Sequence, residues 1–554
     1  MQGSSAYLSI LSIQTFNNVM RIKNQFLIVL GIFFLTSCRK GDDPGVSTIA
    51  TSAQFCKSTL SLVTGGREKL LLIVDPVNAS ITGASWSSSD TRIATVDDQG
   101  IVTALATGET TITVTVGSSI KEHCTAKIIA SPIKDLVLPK VQYPIAKDAL
   151  LFIQGESFKT GDKIRLRKIN TSASSLKSAQ TDDDIIAQIH EQAANYISFY
   201  CSVTPAWYSI ILEEDNSQFN LGNVNVVTPN IPEYAYDKNK IIWEDTHWRR
   251  FQLRGKVKKM NTIEETPYWA SKYTYTFNEK GYLNTAGVTG NKGIATYEYD
   301  SFNRITKKSD DCNIIGSGGT IDHLSCEYSY GSHNLYVPLN FESKIAFSPN
   351  WYSLFYFGGP VSYNERYDLG MCQKGLVSIK LEKHYTMGKT ETTNYQLTVS
   401  SNKVTTSYSG TLFDTNTNYT WEYNANMPNK ETRIYTSSNG SQTIGINIFN
   451  FSTNGIPISQ ESIYNKISSP LKYVENSPFP LYASYDDSKG SGQVFNCEYD
   501  KNWDLIKFNE GSKVIFNYNS YDDFGNWTQC IALAKDKYGS VLGIHRLTRE
   551  ISYW

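Results

Sequence analysis

Apolar and polar residues alternate in short runs along most of this chain. In Thr111–Val116, Ile112, Val114 and Val116 alternate with Thr111, Thr113 and Thr115, which on an extended strand gives one buried and one wet face. Leu150–Phe158 and Trp207–Leu212 are denser apolar runs bounded by polar turn residues. Beyond Ile231 the pattern becomes aromatic–x–aromatic, then an Asn- or Asp-led turn, then a further strand. Tyr275-Thr276-Phe277, Tyr297-Glu298-Tyr299 and Phe449-Asn450-Phe451 are examples. Asp and Asn hydrogen-bond the turn backbone and Gly or Asn takes the left-handed position, so each unit reads as a β-hairpin with paired aromatics. No long stretch after Cys38 keeps a helical period. The prediction is an all-β chain: two β-sandwiches followed by a large antiparallel meandering β-sheet domain.

Its regions follow from the turns. Residues 1–38 form a leader, 39–47 a linker, 48–130 and 131–229 the two sandwiches, and 231–554 the Tyr-rich β domain. Ala84-Ser85-Trp86-Ser87-Ser88-Ser89-Asp90, Ile93-Ala94-Thr95-Val96 and Gly100-Ile101-Val102-Thr103-Ala104 in the first closely resemble the group 2 bacterial immunoglobulin-like domain. That resemblance implies Trp86 as a core residue, not a sugar platform. In the second, the strand leading to Gly155-Glu156-Ser157-Phe158 resembles the opening of an IPT/TIG Ig-like domain. Tyr299-Asp300, Tyr499-Asp500, Tyr521-Asp522 and the closing Asp523-Phe524-Gly525-Asn526-Trp527 resemble degenerate YD (Rhs-like) repeats. The copies are irregularly spaced, so a meander that can curl is expected in place of a regular solenoid. The pattern runs out at Trp554, and no toxin cargo is expected behind it.

The leader supplies an address. Met20-Arg21-Ile22-Lys23-Asn24 is cationic, the run Phe26–Leu35 is apolar, and Leu35-Thr36-Ser37-Cys38 has the form of a lipobox. That apolar run is about half the ~20 residues a membrane-spanning helix needs. Cys38 is therefore the expected lipidation site, with Met20 as the initiator and Cys38 as the first mature residue. Arg39-Lys40-Gly41-Asp42-Asp43 resembles the export tract of Bacteroidetes surface lipoproteins, which implies an outer membrane protein facing outward.

Composition narrows the chemistry. A net charge of −1 leaves no electrostatic footprint for nucleic acid. No cysteine falls in a C-x-x-C pair, and the eight beyond Cys38 read as buried thiols, with Cys312 and Cys326 the one pair worth testing as a disulfide. None of the 7 histidines lies in a metal-binding spacing, Asp182-Asp183-Asp184 reads as a solvated turn, and no cofactor is expected. Trp243-Glu244-Asp245-Thr246-His247-Trp248 is the one catalytic-looking cluster, but on a strand its two carboxylates point to opposite faces. No catalytic or metal-ligating residue is assigned. Trp351 and Trp421 are the ligand-contact candidates. The expected function is a lipid-anchored, non-enzymatic adhesive or binding protein on Ig-like spacers, contacting a glycan or an envelope or host protein. A polysaccharide-binding component of a glycan uptake system is the alternative, and a divergent hydrolase the third.

Overall fold

The computed structural model describes residues 50–554 apart from 77–78, 82, 118, 141–143, 172–183, 235–236, 238, 266–269, 289–293, 317–318, 339–371, 411–415, 437–439, 456, 465–466, 474–481, 487–493, 511 and 537. The protein is all-β, with two sandwich modules and a large antiparallel sheet.

In the first module, Gly108–Val116 pairs with Ile120–Ile129 and with Ser85–Ser88, and Thr59–Val63 completes that sheet. Alternation places Ile112, Val114, Cys124, Ala126 and Ile128 in the core. Trp86 is half-buried against that core, its ring centre 5.9 Å from that of Phe55. Gly100, at φ +76°, lies beneath the Trp86 ring, where a Cβ would approach within 2.6 Å. A glycine is required there on both counts.

The two modules are joined by one sheet. Strands Asp184–Ile186, Lys163–Lys168, Ala206–Glu214 and Ser217–Val227 of the second continue into Arg67–Lys69, Ile101–Ala104 and Ala94–Val96 of the first. At the crossing Gly222 pairs with Arg67, and a Cβ on Gly222 would sit 2.0 Å from the Arg67 carbonyl oxygen. Asn223 accepts from the Lys69 amide at 2.9 Å and donates to its carbonyl at 2.9 Å. Buried Glu68 accepts from Asn220 at 2.9 Å and pairs with Lys57. The two modules are thus fused into one arm through this shared sheet.

The meander closes. From Val257–Glu265 to Val541–Tyr553, antiparallel neighbours form a closed barrel in which the first strand pairs with the last, Val257 opposite Tyr553 and Glu265 opposite Arg546. Rings and aliphatic chains point inward: Tyr273, Tyr275, Ile379, Leu381, Tyr395, Tyr419, Trp421 and Phe516 are buried. On Leu376–Tyr385 the outward residues are polar, with Lys380, Glu382 and His384 between buried Ile379, Leu381, Lys383 and Tyr385. On this strand the polarity is the reverse of that in a membrane-spanning barrel, whose outer face must be apolar.

The arm docks on the barrel's outside. Phe152 and Tyr196 of the second module bury against Ile531, Leu533 and Ile544. Arg546 donates to Gln154 Oε1 at 2.7 Å, Lys535 pairs with Glu191 at 2.8 Å, and Asn519 Nδ2 donates to the Leu150 carbonyl at 3.0 Å.

Candidate functional site

The segment carrying Trp243–Trp248 is neither strand nor open cleft. It forms a 3-10 turn, Ile242–Glu244, and a short helix, His247–Arg250. It crosses the barrel end where many hairpin turns gather: the Ile242 amide donates to the Asn454 carbonyl at 2.9 Å, the His247 amide to Gly281 at 2.9 Å and the Arg254 amide to Asn526 Oδ1 at 2.7 Å. Trp243 is 3% exposed, packed edge-on against Phe451 at 5.1 Å and beside Tyr336 at 5.3 Å. Glu244 accepts from the Tyr336 hydroxyl at 2.6 Å, Asp245 pairs with Arg249 at 2.8 Å, and His247 Nδ1 accepts from the Leu283 amide at 3.3 Å. Burial pushes the Asp245 carboxyl up, but the Arg249 and Thr246 hydrogen bonds and the Lys240 charge outweigh it and hold the group below its ordinary value. Glu244, Asp245 and His247, the groups that drew attention in the sequence, therefore serve as joints of this cap.

The turns the cap touches share one geometry. Asn278 Oδ1 accepts the amides of Lys280 and Tyr282, both at 3.0 Å. Asp300 does the same for Phe302 and Arg304 at 2.9 Å each, Asp500 for Asn502 and Asp504 at 2.8 and 3.0 Å, and Asp522 for Phe524 and Asn526 at 3.0 and 2.9 Å. The third residue after the leading Asn or Asp is left-handed each time: Gly281, Asn303, Trp503 and Gly525, with φ between +62° and +88°.

Inside the barrel at this end, Asp504 is 5% exposed and its Oδ2 has no hydrogen-bond partner among the described residues. Burial and the Asp500 charge push its carboxyl up to about 7, against the pull of Arg254 and Arg549. Arg549, equally buried, lies with its guanidinium 3.7 Å from the centre of the Trp527 ring. Desolvation lowers it to about 10. These groups are sealed beneath the cap, and no group of three or more His, Cys, Asp or Glu side chains placed to hold a metal occurs among the described residues.

The two ligand-contact candidates fare differently. Trp421 is fully buried, stacked on Tyr419 at 5.7 Å with its Nε1 donating to Glu431 at 2.9 Å. It faces the barrel interior and offers no face to a ligand, which corrects the expectation. Trp351 lies outside the described residues, as do Leu35, Thr36, Ser37 and Cys38. Cys326 is buried, and the side chain of Cys312 lies outside the described residues. Asp184 is taken up by Arg167, with two bonds of 2.7 Å.

The residues missed by the sequence reading are at the tips. Among the described residues the exposed large aromatic side chains are Phe302, Phe524, Tyr538 and Trp554, at 76, 43, 81 and 49% exposure. Phe302 and Phe524 occupy turn positions, and Trp554 follows the last strand at the capped end, its amide bonded to the Lys256 carbonyl at 3.0 Å. Phe524 stacks on Tyr553 at 4.2 Å and Lys258 lies 4.5 Å from the centre of the Trp554 ring. Lys280 bonds Asn303 across neighbouring turns at 3.3 Å. The capped rim therefore carries Phe302, Phe524 and Trp554 with lysines between them. Their signal in the sequence was an aromatic inside a turn instead of inside a strand.

Residues 49–126 match the family model of the bacterial Ig-like domain (group 2). Two uncharacterised proteins of Clostridium acetobutylicum are similar: one is 25% identical over 311 residues, covering 52% of this chain and 30% of that protein. The other is 34% identical over 91 residues, covering 16% and 23%. The chain thus spans less than a third of the length of the curated relatives it matches. Among solved structures, a porin-like protein from Bacteroides uniformis aligns at TM-score 0.24 and 10% identity, over 53% of this chain and 98% of that one. Domains 5–6 of the S-layer protein SbsC align at TM-score 0.18 and 15% identity, over 33% and 99%. The SGBP-B protein of the Bacteroides ovatus mixed-linkage glucan utilization locus, solved with a heptasaccharide, aligns at TM-score 0.16 and 13% identity, over 53% and 74%. All three scores are low and add nothing to the architecture already described.

Proposed function

We propose that this is a lipid-anchored cell-envelope protein, displayed outward from the outer membrane, that binds a partner through the capped rim of its barrel without catalysing a reaction. Lipid on Cys38 anchors it, the IPT/TIG-like second module and the group 2 Ig-like module form the fused arm, and degenerate YD-like hairpins build the barrel. The observation that carries the reading is where the aromatic rings lie. Among the described residues the strand aromatics Tyr273, Tyr275, Tyr395, Tyr419 and Trp421 are buried, whereas Phe302 and Phe524 stand exposed at turn tips of one rim beside Trp554. Exposed flat rings interleaved with lysines suit a saccharide, whose ring faces stack on aromatics, and a glycan is the occupant this rim favours.

The test replaces Phe302, Phe524 and Trp554 with Ala in the full chain and reads binding on a glycan array and on whole cells. Glycan binding lost in the triple variant and kept in Tyr538→Ala supports the rim. Undiminished binding by the triple variant overturns it, and cell binding with no glycan bound moves the ligand to a protein. Labelled-palmitate incorporation should vanish in Cys38→Ala; incorporation that survives refutes the anchor.

A further inference from the structure

Four residues stand in one row across four adjacent strands on the barrel's outer face. Asp311 is opposite His323, His323 opposite His384, and His384 opposite Thr390. Asp311 Oδ1 bonds His323 Nδ1 at 2.7 Å, and Thr390 Oγ1 bonds His384 Nδ1 at 3.1 Å. The two imidazoles face each other with ring centres 5.4 Å apart and planes inclined at 54°. Among the described residues neither Nε2 takes part in a hydrogen bond, and Glu382 Oε2 lies 4.0 Å from His384 Nε2. The side chains are accessible, at 36% exposure for His323 and 39% for His384.

We propose that His323 and His384 bind a divalent transition metal, zinc by preference, through their Nε2 atoms, with Glu382 as the third ligand. Zinc holds imidazole nitrogen at ~2.0–2.1 Å in a tetrahedron, which sets two ligating ring centres about 5 Å apart. The pair already stands at that separation. Each ligand histidine has its other ring nitrogen fixed by an oxygen partner, the arrangement that selects the tautomer and orients the ring in metal sites. As they stand the three side chains are not yet gathered around one point, and Glu382 joins the two histidines by a side-chain rotation that gives up its 2.8 Å pairing with Lys380. The remaining tetrahedral position is open to water. The histidines are 61 residues apart in sequence, since 384 − 323 = 61, so no local spacing announces them. The metal would tie Gly319–Tyr330 to Leu376–Tyr385, strands adjacent in the barrel but separated by a long stretch of chain.

The experiment uses the full chain, purified without a histidine tag and stripped by chelator. Zinc titration by calorimetry should show one equivalent bound and a rise in melting temperature. His323→Gln and His384→Gln should each weaken binding at least ~10-fold, and Asp311→Ala, which removes an orienting partner, about 10–100-fold. Cobalt(II) should give the visible absorption of a tetrahedral ion in the parent chain and lose it in the double variant. Because these side chains lie on the exposed face, the variants should keep the parent's far-ultraviolet circular dichroism. A parent chain that takes up no zinc, or a folded double variant that binds zinc as the parent does, overturns the proposal.

Discussion

Asp504 shows how one side chain records the consequence of closing the barrel. It follows Trp503, the left-handed residue of its turn, and so enters the interior instead of the rim. Burial raises it to about 7, whereas an Asp in an unfolded chain titrates near ~3.9. Between those values the native state holds a proton that the unfolded state lacks, so this group lowers stability as pH rises through about 4 to 7. Above that window the full penalty applies. Asp504→Asn should therefore raise stability relative to the parent by on the order of 1–3 kcal/mol at about pH 8, with the gain shrinking towards about pH 4. Urea denaturation at both pH values measures it. A variant less stable than the parent at the higher pH would show that the carboxylate is needed by Arg254 and Arg549.

At the scale of elements, the hairpin turn is the unit both easiest to read and most consequential. Its signal is local: an Asn or Asp, two or three residues, then Gly or Asn, all within one turn, and Asp97 of the first module makes the same pair of bonds, to Gln99 at 3.0 Å and Ile101 at 2.8 Å. The all-β class was readable for the same reason, since period-two alternation is local. The cap was not. Its conformation depends on partners far away in sequence, such as Asn526 for Arg254 and Asn454 for Ile242, so Trp243–Trp248 imitated a strand. Asp522 should be the most sensitive of the leading residues. Besides the two turn amides it accepts from Tyr553, and Asn526 of the same turn donates to the Arg254 carbonyl at 2.8 Å and to the Tyr553 hydroxyl at 2.8 Å. Asp522→Ala strands the partly buried Asn526 amide and Tyr553 hydroxyl and should cost about 1–3 kcal/mol in urea denaturation. Asp536, whose carboxyl accepts the amides of Tyr538 and Ser540, lies in an exposed turn, and Asp536→Ala should cost less. Equal losses would mean that the bonds to the cap contribute nothing.

On the scale of the whole molecule, the arm and barrel are held as one body by surfaces that alternation alone cannot assign. Phe152 lies on the face of its strand opposite Leu151 and Ile153, which fill the module's own core. A run apolar on both faces announces that something covers the second face but not what covers it. Here the cover is Ile531, Leu533 and Ile544, on a barrel strand pair whose outward positions are otherwise the polar side. Burying a side chain of this kind stabilises by roughly 1.5–3 kcal/mol, and the Arg546–Gln154 and Lys535–Glu191 bonds fix the orientation. Ile544→Asp places an unpartnered carboxylate in that seam, where desolvation is costly, while leaving both neighbouring cores intact. The arm should then swing free. Small-angle scattering should report a larger radius of gyration, and the connection between residues 228 and 241 should become open to protease, with circular dichroism unchanged. Ile544→Val should leave all three readouts where they were. An Ile544→Asp chain as compact and as resistant as the parent would mean that the polar bonds and the packing of Tyr521 on the second module hold the arm, and the rim would then keep a fixed aim without this seam.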